Sequence, residues 1–99
     1  MRLPISRTDE AAFPQFNSHD EAKEFFKDKF GMDFVFDSAE NIGDGICYFY
    51  VLIVDHAIYR KGKRILSQNQ PVTGELGLQF LNSYQPIQIM ENGSVHIVH

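Results

Sequence analysis

The feature that most restricts the fold is the stretch Pro86–His99, where apolar and polar side chains alternate on both sides of Asn92-Gly93. That pattern specifies an antiparallel ribbon, and its register can be argued from the turn. A two-residue type I′ turn would set Ile89 opposite His96 and Ile87 opposite Val98. A three-residue loop of Glu91, Asn92 and Gly93, with Gly93 left-handed in a G1 bulge, sets Ile89 opposite Val95 and Ile87 opposite Ile97. Only the second gathers four β-branched residues on one face, and a slip of one residue would move them off it. The bulged turn is the expected one. The ribbon's other face carries Met90, His96 and Val98 and is half apolar. If residues 94–98 end the sheet, their backbone N–H and C=O groups offer a pairing edge.

Upstream, Ser18-His-Asp-Glu21 reads as a capping box opening a helix over 18–30. Ala22, Phe25, Phe26, Lys29 and Phe30 then recur at helical spacing, and Gly31 supplies a left-handed stop. Asp33–Asp37 alternates as a short strand, followed by a polar connection over 38–45. Ile46–Val54 has no polar face, which predicts a central strand covered on both sides by other structure or by a partner. Asp55 is placed to cap a second helix in which Ile58, Tyr59, Gly62, Ile65 and Leu66 share an arc of about 120°. Gly62 costs such a helix about 1 kcal/mol relative to alanine, so a hairpin turning at Lys61-Gly62 competes with it. Glu75–Phe80 alternates with period two and reads as a strand, although Leu81 breaks the pattern and leaves a short helix open.

These elements define an α+β class: one domain, with a mainly antiparallel sheet of four to five strands, two helices packed on one face and a C-terminal β-hairpin. Residues 1–15, with Pro4 and Pro14, read as an N-terminal arm, mobile or laid over the body through Leu3, Ile5 and Phe13. Residues 16–99 form the domain. The single cysteine excludes an internal disulfide framework and a zinc knuckle. With no apolar run of about 18 residues and no leader pattern, a cytoplasmic location and no membrane contact are expected.

Few residues carry a sharp chemical reading. His96 and His99 are three apart on a strand and point to opposite faces, so no metal site is expected there. Asp55-His56 can be read as an acid–base pair, but adjacent side chains rarely hydrogen-bond, and helix capping is the ordinary role of such an aspartate. The carboxylates of the 37–45 loop fail the alternating calcium pattern. The basic run Arg60, Lys61, Lys63 and Arg64 holds four of the nine Lys and Arg, leaving the rest of a chain of net charge −4 at −8. It fits a solvated or protein-docking helix face better than a nucleic-acid site, since no recognition signature accompanies it. The expected function is that of a small binding module acting through protein–protein contacts, itself a candidate homodimer through its C-terminal edge, with no cofactor. Arg60, Lys61, Lys63, Arg64, Met90, His96 and Val98 are the candidate partner-binding residues. Nucleic-acid binding through residues 60–64 is the alternative, and an enzyme using Asp55 and His56 the remotest.

Overall fold

The computed structural model describes residues Arg2–His99 as one α+β domain with a four-stranded antiparallel sheet and four helices. In chain order the elements are α1 (Arg7–Ala11), α2 (His19–Phe30), a 3₁₀ turn (Gly31–Asp33), β1 (Phe34–Asn41), β2 (Ile46–Ile53), α3 (His56–Ser67), α4 (Gly74–Leu81), β3 (Tyr84–Met90) and β4 (Val95–Ile97). The strands lie side by side as β1-β2-β3-β4, so β2 and β3 are central. Ile87 stands opposite Ile97 and Ile89 opposite Val95. Gly93 at φ 91° closes the turn, with its N–H donating to Met90 O at 3.0 Å. Gly93 also meets a steric demand, because a Cβ there would lie 2.4 Å from Phe16 O.

One face of the sheet presents Phe34, Tyr50, Leu52, Gln85, Ile87, Ile89 and Ile97 to α2. Ser18 caps that helix by accepting from Glu21 N–H at 3.2 Å. Glu21 reaches back to Asn17 N–H at 3.4 Å, one residue beyond the cap itself. Ala22 and Phe26 are fully buried against Phe34, Tyr50 and the three isoleucines, and Phe13, Phe16, Phe25 and Phe30 close around them. Rings meet edge to face at Phe13–Phe26 (5.6 Å) and stack at Phe26–Phe34 (5.5 Å). Each ring so buried stabilises the fold by roughly 1.5–3 kcal/mol.

The helix count and their placement correct the expectation of two helices on one face. Tyr84 alternates with Gln85 and so faces away from α2, and there it meets Tyr59 of α3 (5.4 Å) and Phe80 of α4 (5.2 Å). The helical reading of 56–67 stands, with Asp55 accepting from Ile58 N–H at 3.2 Å. Gly62, which weakened that reading, is there because of its neighbour: a Cβ would lie 2.1 Å from Phe80 Cδ1. Residues 75–80 are helical, not a strand. Their period-two pattern is overridden because Phe80 must come down on Gly62 while Leu76 and Gly77 turn inward beside it.

Strand β1 also runs past the expected Asp37 to Asn41, with a bulge between Phe36 and Ser38. The apolar strand β2 needs a hydrogen-bonding partner along its whole length, and residues 38–41 supply it despite their polarity.

The N-terminal arm lies on the body and includes the short helix α1, capped by a reciprocal Ser6–Asp9 pair. Ile5 is buried while Leu3 is 89% exposed. Gln85 fastens the arm: its Oε1 accepts from Ile5 N–H (2.8 Å), and its Nε2 donates to Ile5 O (2.9 Å) and Val98 O (3.1 Å). Every polar atom of this buried amide is thereby engaged, which removes the penalty for burying it.

Candidate functional site

The arrangement of β4 follows from the register. Met90 N–H donates to Ser94 O (2.9 Å) and Val98 N–H to Pro86 O (3.0 Å), so the even-numbered residues of β4 exchange bonds with β3. In an antiparallel ladder the intervening residues turn their groups the other way. The N–H and C=O of Val95 and Ile97 therefore point outward from the sheet and meet no backbone partner among the described residues, but Ile97 is only 3% exposed, so the edge is covered there and reachable only toward Val95. Beside this edge runs a groove of about 420 Å³. Phe13, Phe16, Phe26, Val95 and Ile97 line it together with polar residues that include Glu10 and Ser94. The Glu10 carboxylate is tied to His99 Nε2 at 2.6 Å.

The two edge strands of the sheet are unlike. Strand β1 carries a bulge at Asp37 and the charges of Asp37 and Glu40, devices that discourage further strand pairing. Strand β4 has no bulge, proline or formal carboxylate or ammonium charge within Val95–Ile97. Of the residues singled out from the sequence, Met90, His96 and Val98 fall on the sheet face opposite α2. There Met90 is half-buried while His96 and Val98 are exposed.

The basic run lies on the outer side of α3. Arg60, Lys61 and Arg64 are exposed and form no ion pair among the described residues. Lys63 is separated from them, turning to Asp37 at 3.8 Å and lying over the Tyr59 ring. Next to α3, α4 exposes Leu78 (65%) and Leu81 (62%), an apolar stripe that the strand reading of 75–80 concealed.

The acid–base reading of Asp55-His56 does not survive. Asp55 spends its carboxylate on the α3 cap, and His56 Nε2 lies 2.6 Å from Asp33 Oδ1 instead. Arg2 Nε approaches the other Asp33 oxygen at 3.0 Å, so this cluster joins the arm, the 3₁₀ turn and α3 as a structural tie. Burial, with the Glu40 charge second, pushes the Cys47 thiol above its ordinary range, which keeps it neutral and poorly nucleophilic. His19 stacks on Tyr48 (3.7 Å) and shares a hydrogen bond with the Tyr50 hydroxyl (2.7 Å), giving a buried phenol its polar partner. Burial raises that phenol, assisted by Tyr48 and Asp20. Among the described residues no group of three or more His, Cys, Asp or Glu is placed to hold a metal, and no helix is long and apolar enough to cross a membrane.

Sequence reasoning missed Glu10, Phe13 and Phe16 as walls of the edge groove. Phe13 and Phe16, one on either side of Pro14-Gln15 at the junction of arm and domain, were the available signal. Compared with known families, curated proteins and solved structures, the chain matches none.

Proposed function

We propose that this chain is a binding module of the cytoplasm that engages protein through its C-terminal edge strand β4. The supporting observation is the outward N–H and C=O of the half-buried Val95, set beside a groove whose lining is part apolar (Phe13, Phe16) and part polar (Glu10, Gln15, Ser94). An extended polypeptide satisfies such groups as an added strand, and pockets for alternate side chains then supply selectivity. The cytoplasmic placement rests on the lone Cys47, free and buried.

The test is selection of random dodecapeptides displayed against the folded protein, followed by amide chemical shifts. Enriched peptides should alternate apolar residues, lack a central proline and shift the amides of Val95 and Ile97. Enrichment that instead moves the resonances of α3 or α4, or no enrichment at all, rejects the edge.

A second reading draws on the three unpaired cations Arg60, Lys61 and Arg64, whose spacing along α3 suits a run of phosphates. Labelled single-stranded and duplex nucleic acid should then bind with a salt slope of roughly −0.9 per contact on duplex. Removing Arg60 and Arg64 together should flatten that slope. Binding indifferent to salt ends this reading.

A further inference from the structure

We infer that Asn92 is a modification site: its side-chain amide closes onto the backbone nitrogen of Gly93, loses ammonia and reopens in water as aspartate or isoaspartate, at a rate set by the fold. This is independent of what the edge of β4 binds. The atoms balance locally. A bond forms between Gly93 N and Asn92 Cγ, the Cγ–Nδ2 bond breaks, and the proton from Gly93 N leaves with the ammonia. One solvent water then opens the five-membered imide at either carbonyl. Opening at Cγ leaves aspartate on an unchanged main chain. Opening at the main-chain carbonyl routes the chain through Cβ and Cγ, which adds one methylene to the backbone.

Among the five asparagines only Asn92 precedes glycine. At Asn17, Asn41, Asn69 and Asn82 the next residue carries a side chain that crowds the attacking nitrogen. Asn92 is exposed, so water and base reach its amide. Its Oδ1 accepts from Ser94 N–H at 2.9 Å, a donor placed where negative charge develops when Cγ is attacked.

The fold restrains the other reactant. Gly93 is buried beside Phe16 O, and its N–H donates to Met90 O at 3.0 Å. The preceding residue is pinned as well: Glu91 O accepts from His19 N–H at 3.0 Å, and Glu91 N–H donates to Ile46 O at 3.2 Å. Gly93 N must leave Met90 O and lose its proton to solvent base before it attacks, so the reaction runs from an opened turn. The two products then differ. An aspartate keeps the chain path and the oxygen that accepts from Ser94. The extra methylene of isoaspartate has no room where even a Cβ on Gly93 would lie 2.4 Å from Phe16 O, so that product cannot reclose the contact between the hairpin and the start of α2.

The test holds the full chain warm at mildly alkaline pH, folded and in urea, with peptide mass mapping and isoaspartyl methyltransferase labelling. Conversion should appear at Asn92 ahead of the other four asparagines, and about tenfold faster in urea than in the folded chain. The isoaspartate fraction should lose the native amide shifts of His19 and Gly93 and melt about 4–8 °C lower. Asn92→Asp, which adds the charge without the methylene, should keep those shifts and melt with the parent chain. Conversion no faster at Asn92 than at Asn82, or equally fast folded and in urea, overturns the inference. An isoaspartate fraction that melts with the parent overturns it too.

Discussion

The two faces of the sheet are sealed by different means. On the α2 side, Phe26, Phe34 and Tyr50 join Leu52 and the isoleucines of β3 and β4 in one continuous cluster. On the other side Val51, Ile53 and Phe80 are buried outside that cluster, under helices held by a glycine contact and a cluster of three rings, Tyr59, Phe80 and Tyr84. The first face therefore depends on hydrophobic mass at regular spacing. The second depends on shape, because Phe80 fits only where residue 62 has no side chain. The α2 side also holds the arm that lines the β4 groove, while the other side leaves Leu78, Leu81, His96 and Val98 to solvent.

The largest expected effect is at the centre of the sealed face. Phe26→Asp should abolish the cooperative thermal transition, and Phe26→Ala should cost about 3–5 kcal/mol in denaturant titration. Phe80→Ala should cost less than Phe26→Ala, because α4 is open around Leu78 and Leu81 and can settle into the space left. The reverse order would break the comparison.

Gly62→Ala sharpens it. On an ordinary helix that change adds stability through propensity, but here the new methyl meets the Phe80 ring, and a loss of about 1–3 kcal/mol is expected. Combining it with Phe80→Ala should recover most of that loss. A stabilised Gly62→Ala single variant would show that α4 does not sit on α3 as described.

Asp55→Ala removes the carboxylate that caps α3 and should cost about 1 kcal/mol by urea midpoint, with no change at the α2 side. The smallest effect is with pH. Burial first, then the Asp37 charge and Tyr84, raises the Tyr59 phenol; burial likewise raises Tyr50. Both groups hold their protons more tightly when folded, so their contribution is full below the ordinary phenol value of 10.0 and is lost as pH climbs through the folded values. Stability should therefore decline above about pH 10, and Tyr59→Phe should make that decline shallower. An unchanged slope would mean that Tyr59 is solvated.

Much of the framework was legible before any coordinates. Ser18 and Asp55 announced two helix starts, the aromatic spacing of 22–30 announced the buried side of α2, and the unbroken apolar run of 46–54 announced a central strand. Gln85 lies before the ribbon read from Pro86, so neither its place on the inward face of β3 nor its three hydrogen bonds to Ile5 and Val98 was legible. Glu75–Phe80 reads as a strand, with a short helix left open, because period two and a short amphipathic helix look alike over six residues when glycine interrupts both; the structure takes the helix. Of the site, the sequence named the edge strand and its exposed His96 and Val98. It did not show the arm folded alongside, since Phe13 and Phe16 are eighty residues distant in the chain from the strand they wall.

Spacing along the chain by itself determined which residues turn inward together, because backbone geometry repeats with a period that side-chain chemistry must follow. Which surfaces then meet was decided only in three dimensions. Gly62 under Phe80, the arm pinned by Gln85, and β4 left with its outward groups unpaired are contacts between segments far apart in sequence, and packing rather than periodicity chooses them.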